Sequence, residues 1–170
     1  MEFLKTIEDL PFCIWVRESG SLWGYPFILF LHTVGLGLVA GVSGAVDLRF
    51  LGIARKLQMG PLVKYFPLMW LGFWINATSG VILLMADATT KVINPVFYVK
   101  MSFITVAVII MWYMNKRLFA DPKLDEKPIP PIGRVLAGVS ILCWLGAITA
   151  GRLMAYLGPV SGIPGLSNHL

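Results

Sequence analysis

One histidine, His32, stands inside the uncharged run from Gly20 to Val46. A neutral imidazole ligates metal ions and haem iron, or it hydrogen-bonds to a neighbouring helix. Lys100 interrupts a second run, Val92 to Asn115, and Arg152 directly follows a third, Val135 to Gly151. A fourth run, Tyr65 to Ala86, is uncharged but carries Asn76, Ser79 with Gly80, and Leu83 before Asp87. Their spacings of three and four lay a polar stripe along one helix face. Ionisable groups in such apolar surroundings are costly and usually turn inward, where they pair or bind something. A lysine there can extend to the interface, pair with an anion such as a haem propionate or Asp87, or act as a ligand when deprotonated. Arg152 can anchor a helix end or clamp a propionate. Gly35 lies one turn from His32 on the same face, and Gly37, Gly41 and Gly44 follow it. Glycines at these positions let a neighbouring helix or a flat ligand approach the backbone. For helix packing the expected motif is Gly37-x-x-x-Gly41.

Such residues need membrane-spanning elements to hold them. The chain has 170 residues, 57% hydrophobic and only 14% charged, with a mean hydropathy of +0.77. That composition argues against a water-soluble enzyme, a disordered chain and a disulfide scaffold. The two cysteines, Cys13 and Cys143, have no CxxC spacing and supply no thiol pair for zinc. Each uncharged run reaches or nearly reaches the roughly 20 residues that span a bilayer as a helix. The expected fold is therefore an all-α four-transmembrane-helix bundle forming one domain, with helices near 22–55, 65–87, 94–118 and 133–157. The first helix is expected to run on past the hydrocarbon, since no breaker follows Asp47, Arg49, Arg55 and Lys56 until Gly60-Pro61.

Basic residues set the orientation. Nine of them, from Arg49 to Lys64 and from Lys116 to Arg134, lie on one side, against five on the other: Lys5, Arg17, Lys91, Lys100 and Arg152. The positive-inside rule then places both termini outside, in the periplasm if the membrane is a bacterial inner membrane. The basic excess is thus topological, and no nucleic-acid partner is implied. Residues 1–19 lack the basic start and apolar core of a signal peptide. Phe3, Leu4, Ile7 and Leu10 recur instead at helical spacing, which predicts a short amphipathic helix within 2–18 lying in the interface, interrupted at Pro11. Trp15, Trp23, Tyr25 and Tyr156 suit an outer aromatic belt. A proline-rich stiff connector is expected between helices three and four, and an irregular tail from Gly158. Asp47, two residues from Arg49, is expected to pair with a basic residue on another helix, Arg117 or Arg134.

Tyr25-Pro26 through His32 to Gly35, Asp47-Leu48-Arg49-Phe50-Leu51-Gly52, Phe97-x-x-Lys100 and Gly151-Arg152-Leu153-Met154-Ala155-Tyr156 resemble a group of small bacterial four-helix membrane proteins. More distantly, a histidine on helix one with a lysine early in helix three is similar to the HemJ and CopD groups. HemJ proteins bind b-type haem and oxidise protoporphyrinogen, and CopD proteins are linked to copper handling. The resemblance implies haem b on His32, five-coordinate or with Lys100 as second ligand or propionate partner; on the residue reading, Arg152 is a further propionate partner and Gly35 and Asn76 line the site. The second intramembrane histidines of bis-histidine cytochromes b are absent, because His169 in the tail is the only other histidine.

Three functions follow as expectations. The first is a haem protein carrying electrons, with a quinone or a periplasmic redox protein as partner. The second is a copper-handling protein using an outer His/Met site with Met101 and Met154. The third is a non-catalytic subunit that forms homo-oligomers or docks to a larger membrane complex.

Overall fold

The computed structural model describes residues 2–118 and 129–156, and all the regular structure there is helical. In chain order the elements are α1 (Glu2–Glu8), α2 (Pro11–Glu18), α3 (Tyr25–Phe50), α4 (Met59–Val63), α5 (Phe66–Met85), α6 (Ala88–Ile93), α7 (Pro95–Tyr113) and α8 (Pro131–Tyr156). A single π turn, Met114–Leu118, extends α7. Four spans are long and apolar enough to cross a bilayer: Tyr25–Phe50, Met59–Met85, Pro95–Arg117 and Pro131–Met154. The chain is a multi-pass membrane protein of the expected all-α class.

Proline starts these helices. It occupies one of the first two positions of α2, α3, α5 and α7, where the missing N–H would have no intrahelical partner anyway. Asn94 completes the start of α7 by accepting a hydrogen bond from Val96 N at 2.9 Å. The first span stops earlier than expected. Gly52, at φ +80°, takes the left-handed turn that a helix C-terminus favours, so α3 ends at Phe50 rather than near residue 55. Pro11 divides the amphipathic segment into α1 and α2. Cys13 and Val16 on α2 are buried, so one face of this segment is docked on the protein.

The spans pack as two pairs. α3 packs most closely on α5, α7 on α8, and an α3–α8 contact joins the pairs, while the backbones of α5 and α7 barely approach each other. Unlike a water-soluble bundle, the outer surface is apolar, and a few polar side chains lie inside. Ser43, Asp47, Ser79 and Ser140 are buried, whereas Phe30 (58%), Trp74 (64%) and Leu142 (67%) are exposed. Lipid accepts those apolar side chains without cost, so only close packing and polar contacts hold the interior together.

One end of the bundle is capped. Glu8 on α1 accepts from Thr89 N at 2.7 Å and Thr89 Oγ1 at 2.9 Å, which covers one free amide at the start of α6. Arg17 on α2 donates to Ala86 O at 3.3 Å, and Lys91 on α6 donates to Leu83 O at 2.6 Å, so both serve unpaired carbonyls at the end of α5. Val16 joins Ile28, Leu83 and Ala86 in a small apolar cluster beneath them. The N-terminal helices and the α5–α7 connection therefore share one end. The larger core, around Phe50, Met69, Ala107, Met114, Ala137 and Trp144, extends toward the other.

Glycine packing differs from the expected motif. A methyl group at Gly37, Gly41 or Gly44 would meet nothing within 4 Å. The close contact instead uses Gly35 and Gly72: a Cβ on Gly35 would lie 2.5 Å from Asn76 N, and one on Gly72 would lie 2.5 Å from Leu38 Cβ. Gly35→Ala should therefore cost on the order of 1–3 kcal/mol through forced separation of α3 and α5. Gly37→Ala and Gly41→Ala should change stability by less than about 0.5 kcal/mol. Thermal unfolding of the three variants in one detergent checks this contrast.

Candidate functional site

The capped half of the bundle brings the singled-out residues to one level. With a rise of 1.5 Å per residue, His32, Lys100, Asn76, Ser79 and Gly151 all lie about 7–14 Å from the ends of their helices on that side. His32 lies on the α3 stripe that continues through Gly35 and Val39, both buried. The Gly35–Gly72 approach draws this stripe onto α5.

His32 Nδ1 stands 2.9 Å from Asn76 O and 3.2 Å from Ser79 Oγ. In return, Asn76 Nδ2 donates to His32 O at 2.7 Å, so the two helices exchange hydrogen bonds in both directions. The network sets the tautomer. Asn76 O can only accept, and Ser79 Oγ already spends its hydrogen on Ile75 O at 2.6 Å. The nearby amide, Asn76 Nδ2, is 3.4 Å from Nδ1 and committed to His32 O. Nδ1 therefore carries the proton, and Nε2 keeps its lone pair without a hydrogen-bond partner among the described residues.

Gly80 makes that geometry possible. A Cβ there would lie 3.0 Å from His32 Cε1 and 3.4 Å from Nδ1, in the space through which the ring reaches the Asn76 carbonyl. Ser79 also lines an open apolar groove of about 350 Å³ between α3 and α5, walled by Ile28, Leu31, Trp74, Ile75 and Ile82.

The other site residues fall at different distances from this centre. Lys100 extends across α7 to α8, where its Nζ would be 3.8 Å from a Cβ on Gly151. No carboxylate lies within ion-pair distance of it among the described residues. Lys91 sits outside the spans, 3.9 Å from Asp87. Burial pushes its ammonium below the ordinary lysine range, and Asp87 opposes that shift. Arg152 is exposed on α8 beside Gly151. Gly35 serves the helix contact: its missing side chain faces the backbone of α5 rather than open space. Met101 is 43% exposed on α7, so an outer His/Met site does not assemble around it. His169, the 119–128 connector and the tail from Gly158 lie outside the described residues.

Asp47 departs from expectation. It pairs with neither Arg117 nor Arg134; Ser43 donates to its Oδ2 at 3.4 Å, and Ser140 stands beside them, its Oγ 3.5 Å from that of Ser43. The reason is depth. Asp47 is buried a full turn before the end of α3, facing α8, while Arg117 and Arg134 are exposed.

Sequence reasoning placed Ser79 and Gly80 on the polar stripe but not in the site. Their spacing from Asn76 is the signal that puts all three on the face receiving His32. No signal marked Lys91, whose place depends on how α6 folds over α5. Among the described residues no group of three or more His, Cys, Asp or Glu side chains converges as a metal site. No family model, curated protein or solved structure matches the chain.

Replacing Asn76 by Leu removes the amide donor to His32 O and should destabilise the bundle by on the order of 1 kcal/mol. Gly80→Ala should displace the imidazole while leaving the Gly35–Gly72 contact in place. The ¹⁵N shifts of His32 in isotopically labelled protein would report that displacement as loss of the Nδ1–H tautomer.

Proposed function

We propose that the protein is a membrane-embedded b-type haem protein that carries electrons near the capped side of the bundle. The observation that carries this reading is the His32 tautomer. Haem- and metal-ligating histidines commonly donate one ring N–H to a carbonyl and present the other nitrogen, and His32 is held in that state by Asn76 O at 2.9 Å.

The donor set fits the group. His32 Nε2 would hold the iron. Lys100 has no carboxylate partner among the described residues, so it is available as a second ligand or as a cation for a propionate. Arg152, next to the glycine against which Lys100 lies, adds a second positive charge at the same end. Asn76 and Ser79 hold the imidazole in orientation, and Gly80 keeps the space beside it clear. Bound there, haem supplies a one-electron couple. The resemblance to the HemJ group, carried by the helix-one histidine and the helix-three lysine, points to the same chemistry.

Orientation belongs to the same proposal. The nine basic residues from Arg49 to Lys64 and Lys116 to Arg134 mark the uncapped end as cytoplasmic in a bacterial inner membrane. The N-terminal helices would then lie on the periplasmic side, so a quinone in the bilayer or a periplasmic redox protein would be the electron partner.

Protein purified from cells supplied with haem should show a Soret band and, after dithionite, sharpened α and β bands, with about one haem per chain by pyridine haemochrome assay. His32→Ala should abolish the spectrum, while His169→Ala should leave it intact. Lys100→Met should alter the spectrum or lower haem content without lowering the melting temperature, since no ion pair is lost. A featureless spectrum from the folded native chain would rule the proposal out.

A further inference from the structure

At the uncapped end, Asp47 is only 1% exposed although it carries a carboxyl group. Trp144 Nε1 donates to Ser43 Oγ at 3.0 Å, which leaves the Ser43 hydrogen for the Asp47 carboxylate or for Ser140 Oγ. No lysine or arginine pairs with Asp47 among the described residues. A carboxyl so placed is stable as the neutral acid, or as a carboxylate only with a cation beside it.

The carboxyl borders a cavity of about 10 Å³ whose walls include Ser43, Phe66 and three methionines, Met69, Met111 and Met114. These methionines come from α5, α7 and the π turn, and at 0%, 4% and 2% exposure they are as buried as Asp47. Met111 and Met114 form a Met-x-x-Met pair on one face. The π turn begins at Met114, and such turns recur at functional sites because they re-aim a side chain. Filling a core requires methionine's volume but no carboxylate at its centre. Hard cations would need six or more oxygen ligands, whereas the walls supply only the Asp47 carboxylate and the Ser43 hydroxyl. Thioethers select soft ions instead, and one carboxylate balances one positive charge.

We propose that this cavity binds one soft monovalent metal ion, Cu(I) or Ag(I), with Met69, Met111 and Met114 as thioether ligands and Asp47 as the balancing charge. The site is independent of haem at His32. The two residues are fifteen positions apart on α3, about 22 Å along the helix.

The test is titration of the full-length detergent-solubilised protein with Ag(I), read by native mass spectrometry and by competition with a chelator of known affinity. It is run on the native chain and on Cys13→Ala/Cys143→Ala, which removes the thiols as competing ligands. One tightly bound Ag(I) per chain is expected in both. Met111→Leu/Met114→Leu should weaken binding at least about tenfold, and Asp47→Asn by about 10–100-fold. The exposed Met101→Leu should have no effect, and the methionine variants should retain the native haem spectrum. Leucine nearly conserves methionine's volume, so these proteins should fold. If the double variant does not, the single exchanges at Met69, Met111 and Met114 are read by the same titration. Absence of stoichiometric Ag(I), affinity unchanged by the Met→Leu exchanges, or loss of the ion on His32→Ala alone would overturn the proposal.

Discussion

The backbone approach of α3 to α5 at Gly35 and Gly72 is the constraint on which the capped half of this protein depends. A Cβ on Gly35 would lie 2.5 Å from Asn76 N, so the helices meet at a distance that only an absent side chain permits. At that separation His32 reaches the Asn76 carbonyl and Asn76 reaches the His32 carbonyl, with donor–acceptor distances of 2.9 and 2.7 Å. Any side chain at Gly35 would push both pairs apart together. Helix packing and imidazole chemistry therefore share one contact, since membrane helices gain no hydrophobic drive toward each other and rely on close fit and buried hydrogen bonds.

The capping layer follows from the same physics at the helix ends. A helix ends with unpaired amides and carbonyls, which are costly wherever water is scarce. Glu8, Arg17 and Lys91 reach three such groups around the end of α5 and the start of α6. This fastens the N-terminal helices over the end nearest His32, where Lys91 and Asp87 also lie. The polar contacts among Asp47, Ser43, Ser140 and Trp144 do corresponding work in the other half, joining α3 to α8 where the two helix pairs meet.

The count and placement of the spans were legible along the chain because hydropathy is local and additive: four uncharged runs, punctuated by prolines, yield four helices. Helical rise is uniform, so counting residues also put His32, Lys100 and the Asn76–Ser79 stripe at one depth before any packing was known. Boundaries were less legible. Gly52 ended α3 because a single backbone conformation outweighed a continuing pattern.

What the chain by itself determined, then, is depth: which residues lie in the membrane and at what level. Tertiary structure decided rotation. Apart from the Asn76–Ser79 stripe on α5, these spans are apolar around nearly their whole circumference, so little in the sequence tells which face turns inward. Only packing selected Gly35 over Gly37 and Gly41, gave Asp47 to Ser43 and Ser140 rather than to an arginine, and turned Met101 outward while Met69, Met111 and Met114 turned in. The His32 tautomer was decided in the same way. A ring nitrogen's proton depends on the acceptor it meets, and that acceptor is a carbonyl forty-four residues away on a helix brought close by two glycines.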